Sequence, residues 1–185
     1  MELYDIILRC QNGDWDSFEK LYKQIYRKAY GTAFNILGIK TASEDIVQEA
    51  FIICYRSLHR LKNPEAFNTW FYRIVVRLSW RLAKDPLRHT WGEDFESQVS
   101  DNTDQICSRL DICERIRTLK ITLRTVLILY YFNEMSVKEI SQVLGCLEGT
   151  VKSRLFKARK ILQSELFPDY TVNPENKFKE AGLNE

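Results

Sequence analysis

The chain has 185 residues, 45% of them hydrophobic and 28% charged, with a formal net charge of +2; this is enough apolar material for one ordinary core or two small ones, and it excludes compositional disorder. The Met1 end is polar and acidic rather than a basic flank followed by an apolar run, and no apolar stretch approaches the length of a membrane span, so the expectation is a cytoplasmic protein without membrane insertion. Cys10, Cys54, Cys107, Cys113 and Cys146 form no CxxC pair, His59 and His89 are far apart, and no GxxxxGK[ST], GxGxxG or GxSxG occurs, so no metal, no cofactor and no enzymatic activity are expected.

Phe18, Leu21, Tyr22, Ile25, Tyr26, Ala29, Tyr30, Ala33, Phe34 and Leu37 recur every three or four residues and predict a helix. Asp16 with Glu19 offers it a capping box, and Gly38 a stop. A second helix is predicted from a capping box at Thr41 and Glu44, burying Ile46, Val47, Ala50, Phe51, Cys54, Leu58 and Leu61. A third follows Asn63-Pro64, where proline suits the first turn, and carries Phe67, Trp70, Phe71, Ile74, Leu78 and Leu82 to about Lys84. No sustained period-two alternation marks a strand.

From Asp85 to Asp104 the periodicity fails, and Glu93, Asp94, Glu96, Asp101 and Asp104 accumulate in a segment with little to bury. It reads as a flexible acidic linker, 85–105. Apolar spacing resumes at Ile106 and persists to Tyr130, and a polar tail, 168–185, closes the chain. The fold class expected is therefore all-α: a helical domain over 1–84, the linker, and a second small helical domain over 106–167.

That second domain contains SVKEISQVLG followed by EGTVKSRLFKARK. In the first stretch Ser136 and Glu139 make a capping box, Ile140, Val143 and Leu144 form an apolar stripe, and Gly145 can close the helix. In the second, Val151, Leu155, Ala158 and Leu162 face inward, leaving Thr150, Lys152, Ser153, Arg154, Lys157 and Lys160 outward. Helix, glycine turn and basic-faced helix is a helix-turn-helix pattern, in which the second helix enters a major groove and meets phosphates and base edges. A solvated basic helix is the plain alternative, but it does not require the coupled stripe and turn of the preceding helix. A membrane-surface helix needs more outward apolar bulk than Phe156 alone.

GTVKSRLFKARKIL with SVKEISQVLG, and SEDIVQEAF followed by TWFYRIVVR, resemble the two conserved blocks of the extracytoplasmic-function (ECF) sigma factors of the sigma-70 family, over about Phe18 to Leu166. The resemblance implies a dissociable subunit of bacterial RNA polymerase that brings the core enzyme to specific promoters. Its first domain would recognise and melt the −10 element and its second would bind the −35 element, at Thr150, Lys152, Ser153, Arg154 and Lys157. Catalysis is left to the polymerase, and an anti-sigma factor is implied as a further partner. The acidic linker is implied to thread toward the polymerase active-site cleft and RNA exit path.

Asp45, Gln48, Glu49 and Ile52, at i, i+3, i+4 and i+7, share the helix side opposite the core stripe. An isoleucine among acidic and amide groups there suggests docking, and the resemblance assigns this block to the polymerase clamp helices. Arg73, Arg77 and Arg81 recur every fourth residue with Trp80 beside them, a pattern suited to single-stranded DNA at the −10 element. Arg77 stands where the family often carries asparagine. The rival readings are an autonomous helix-turn-helix regulator and a sigma-like factor that binds polymerase without a promoter.

Overall fold

The structure, a computed structural model, describes residues 2–84 and 114–166, and among these there is no strand. The expected acidic linker and polar tail lie outside the described residues.

The chain opens with a helix not among those expected from the sequence, α1 (Leu3–Gln11), which buries Ile6 and Ile7. Nine residues make a marginal helix alone; this one is held by packing against α2 (Trp15–Leu37). The cap of α2 is Asp14, not Asp16: its carboxylate accepts from the Ser17 N–H at 3.2 Å and the Ser17 hydroxyl at 2.7 Å. These bonds favour the carboxylate and lower the Asp14 pKa. Gly38 ends α2 in the left-handed region, φ 80°, as expected.

Helix α3 spans Lys40–Ser57 and starts one residue before Thr41; its cap residue, Ile39, has no side-chain bond, so the expected box of Thr41 and Glu44 does not form. Asn63 accepts from the Glu65 N–H at 3.0 Å, and a 3-10 turn, Pro64–Ala66, leads into α4 (Phe67–Ala83). Phe51, Phe67 and Phe71 pack together at the centre, the last two stacked with ring centroids 5.6 Å apart.

The second half begins with helical residues 114–118, followed by α5 (Ile121–Leu127), which widens into a π turn at Ile128–Phe132. Glu134 takes a positive φ of 58° just before α6 (Val137–Leu144), and α7 (Glu148–Leu166) completes the described chain.

The two halves share one buried apolar cluster, running from Ile6 and Leu21 through Phe71 and Val75 to Leu129, Ile140 and Val151. α6 packs on α4, and α5 with its π turn lies against α2. Polar groups cross the same boundary. Asn133 Nδ2 donates to Thr32 Oγ1 at 2.9 Å, Trp80 Nε1 to Thr125 Oγ1 at 2.9 Å, and Arg124 Nη1 to the Ile36 carbonyl at 2.8 Å. Burial, then the neighbouring Arg117 charge, lowers the Arg124 pKa.

Candidate nucleic-acid interface

Helix α6 starts at a complete capping box: the Glu139 N–H donates to Ser136 Oγ at 3.2 Å, and the Ser136 N–H donates to Glu139 Oε2 at 2.8 Å. Gly145 follows at φ 64°, ψ 41°, the left-handed conformation that glycine adopts without steric cost. The chain then reverses through Cys146 and Leu147, whose carbonyl accepts the first bonds of α7, from Thr150 at 2.9 Å and Val151 at 3.2 Å. Val151, Leu155 and Ala158 are fully packed against the neighbouring helices, and this fixes which side of α7 faces out.

On that outer side Lys152, Ser153 and Lys157 are exposed, while Thr150 and Arg154 are half-buried at the edge of a trough. The trough also takes in Thr118, Lys120, Thr122 and Lys160, so cations from two elements line one concave surface. Lys120 is absent from the reading of the recognition helix, because it lies before α5 and only the packing of α5 on α7 brings it there. Phe156 is 64% exposed and Leu147 80%, placing apolar surface among the charges, where thymine methyl groups offer a partner.

The arginines of α4 do not stand alike. Arg77 and Arg81 are exposed, but Arg73 is half-buried and donates through Nε at 3.1 Å and Nη2 at 2.5 Å to the Gln142 carbonyl of α6. Trp80, half-buried with its indole N–H on Thr125, is held in the boundary between the halves. Arg81 reaches across to Glu49 of α3, with Nη2 2.8 Å and 2.9 Å from the two carboxylate oxygens.

Along α3, Asp45, Gln48 and Ile52 are exposed and Glu49 is half-buried. The same face continues to Tyr55, 57% exposed, whose ring meets Trp15 edge-on at 5.4 Å, and Trp15 is 61% exposed. Ile52, Tyr55 and Trp15 therefore make an apolar extension of the acidic face. Tyr55 was accessible from spacing, three residues beyond Ile52; Trp15 belongs to another helix and was not. Among the described residues no group of three or more His, Cys, Asp or Glu side chains is placed to hold a metal ion, and no helix is long and apolar enough to cross a membrane.

Residues 21–91 match the family model for sigma-70 region 2, and residues 105–162 the model for sigma-70 region 4. The chain is 32% identical over 176 residues to the ECF RNA polymerase sigma factor SigW of Bacillus subtilis, covering 86% of this chain and 94% of that one. It is 30% identical over 181 residues to the RNA polymerase sigma-H factor of Pseudomonas aeruginosa, covering 88% and 93%. Among solved structures it resembles CnrH in complex with the cytosolic domain of CnrY, with a TM-score of 0.70 at 21% identity over 90% of this chain and 98% of that one. It also resembles the sigma factor RpoE in complex with the anti-sigma factor NepR from Bartonella quintana, with a TM-score of 0.65 at 20% identity over 82% and 98%.

Proposed function

The chain belongs to the ECF sigma factors of the sigma-70 family, and from that premise we propose that α3 docks it on core RNA polymerase, α4 holds the −10 element and α7 reads the −35 element. The docking surface is the side of α3 bearing Asp45, Gln48, Glu49 and Ile52, extended by Tyr55 and Trp15. An acidic rim beside exposed aromatic and aliphatic groups gives both charge steering and a desolvated centre to an interface. Arg73, Arg77 and Arg81 track the backbone of the opened strand, and Trp80 stacks on a base once it is released from Thr125.

Thr150, Lys152, Ser153, Arg154 and Lys157 face the −35 duplex, with Lys120 and Lys160 adding phosphate contacts along the same trough. The short side chains of Thr150 and Ser153 near the start of α7 allow close backbone approach. The chain supplies recognition and strand capture, and the chemistry of RNA synthesis belongs to the polymerase. Its working place is the cytoplasm, beside the core enzyme, and an anti-sigma factor is its inhibitory partner.

The observation that carries this reading is the capping box at Ser136, the left-handed Gly145 and the outward basic face of α7, together in a chain that also presents the α3 face. An autonomous regulator needs the first and has no use for the second. Run-off transcription with purified core polymerase on candidate promoters tests the proposal. Transcripts that appear only when the chain is added support it, and none on any promoter, despite a folded chain, would count against it.

A further inference from the structure

We propose that the cavity between the π turn, α7 and α2 is a binding site for a small amphipathic carboxylate, a molecule with an apolar chain or ring and one anionic group. None of its lining residues is assigned above to DNA or polymerase, so the site goes beyond that reading.

The cavity has a volume of about 490 Å³. That lies within the roughly 300–1,000 Å³ of small-molecule sites, which form preferentially where two parts of a fold meet. Asn35 of α2 supplies one side, while Leu127, Ile128 and Leu162 of the second half supply apolar wall. Ile128 also opens the π turn, and the Asn133 N–H donates back to its carbonyl at 3.0 Å. A bond reaching five residues back, not four, turns the side chains before it away from ordinary helical register, and such turns are frequent at functional sites. Here it leaves Tyr131 60% and Phe132 42% exposed, both at the cavity.

Charge selects the ligand. Arg117 and Arg159 line the cavity, and among the described residues no acidic side chain does. Arg159 is held in place: Nε donates to the Tyr131 hydroxyl at 2.9 Å, and the guanidinium lies 5.4 Å and 5.5 Å from the ring centroids of Tyr130 and Tyr131. Among the described residues no ion pair involves Arg159. Its two terminal nitrogens form a planar fork already fixed by an aromatic pair and a hydroxyl, so little freedom is lost when a carboxylate accepts two parallel bonds from it. Arg117, with its guanidinium 5.4 Å from the Phe34 ring centroid, adds a second positive charge to the wall.

Size argues against a protein helix as the occupant. A helix with side chains is about 10–12 Å across, so a single 5.4 Å turn fills roughly 400–600 Å³. The cavity takes in about one such turn, too little to anchor a helix and ample for a small molecule.

Octanoate, octanol and octyltrimethylammonium present one apolar chain under three charges. Each is titrated into the full-length, isotope-labelled chain and followed by amide chemical shifts. The site predicts one octanoate per chain with a Kd on the order of 100 µM, the range open to about ten non-hydrogen atoms, with shifts centred on 127–132 and 159–162 and at least tenfold weaker binding of the other two probes. Arg159→Gln should weaken octanoate about tenfold and leave octanol unchanged, and Arg159→Lys should recover part of the loss, since an ammonium keeps the charge without the fork. Leu162→Trp, with helicity retained by circular dichroism, should abolish binding by filling the cavity.

Equal affinities for the three probes overturn the choice of an anion. Octanoate binding indifferent to both Arg159→Gln and Leu162→Trp places the ligand elsewhere and overturns the site. Shifts spread over the surface without saturation mean surfactant adsorption only, and no saturable binding by the folded wild type leaves the cavity to a side chain of a protein partner; either result overturns the proposal.

Discussion

A single nitrogen of Arg81, Nη2, lies within 2.9 Å of both carboxylate oxygens of Glu49, joining the arginine stripe of α4 to the acidic face of α3. The Arg81 side chain is largely in solvent and that of Glu49 partly so, so the pair contributes at most about 1 kcal/mol to stability. Its position matters more than its strength, because whatever binds Glu49 competes for the partner of Arg81. Replacing Asp45 and Glu49 by Lys should leave helicity intact and weaken core polymerase binding by tenfold or more, through like-charge repulsion at the rim. Undiminished capture of core polymerase by the folded variant would remove α3 from the interface.

The recognition helix makes a separate prediction, read in salt rather than in affinity alone. Arg154→Ala and Lys157→Ala should each weaken promoter binding by holoenzyme, and loss of a phosphate contact should lower the slope of log K against log salt by about one unit. A side chain that reads a base instead changes the preferred −35 sequence. Two variants with wild-type occupancy and slope would show that another surface meets the duplex.

The two caps of the helix-turn-helix predict stability changes of opposite sign. Ser136→Ala removes both the acceptor for the Glu139 N–H and half of a capping box, and should cost about 1 kcal/mol. Leu147 occupies the corresponding position before α7, where its side chain has no acceptor and is 80% exposed. Leu147→Ser should therefore stabilise the domain by about 1 kcal/mol. Urea denaturation of both variants reads the signs directly, and a destabilised Leu147→Ser would mean that the leucine makes a contact not found in this conformation.

Alkaline pH probes the boundary between the domains. Burial raises the Tyr72 pKa from 10.0 to about 12, and hydrogen bonding with Asn133 and Thr32 offsets this only in part. The neutral phenol is thus the form that the fold prefers, so its contribution is whole below pH 10 and is lost as pH rises toward 12, by up to about 3 kcal/mol. Tyr72→Phe should flatten this alkaline decline. Parallel declines in wild type and variant would place the titrating group elsewhere.

Much of this arrangement is legible in the residues themselves, for local reasons. The helix-turn-helix announces itself because Ser136, Glu139, Gly145 and the spacing from Val151 to Leu162 all act within a few residues of one another. The α3 face is legible as far as one helix can carry it, from Asp45 to Ile52. The cap of α2 is not: Asp14 and Asp16 stand two residues apart, and the Ser17 side chain selects the first. Helix α1 has Leu3, Ile6, Ile7 and Cys10 in helical register, but nine residues rely on α2 for their helicity. The boundary between the two halves is least legible, since neither Thr32 nor Asn133 carries a local sign of a partner 101 residues away.

Strand opening is the most direct test of the central claim, that this chain is a sigma factor whose two DNA-reading surfaces act through polymerase. Permanganate footprinting of promoter DNA is carried out with the chain alone, with core polymerase alone and with both. The account predicts reactive thymines near the −10 element only when both are present, because polymerase organises two individually weak contacts into one complex. Tight, sequence-specific duplex binding by the free chain, with no thymine exposed when polymerase is added, would contradict it.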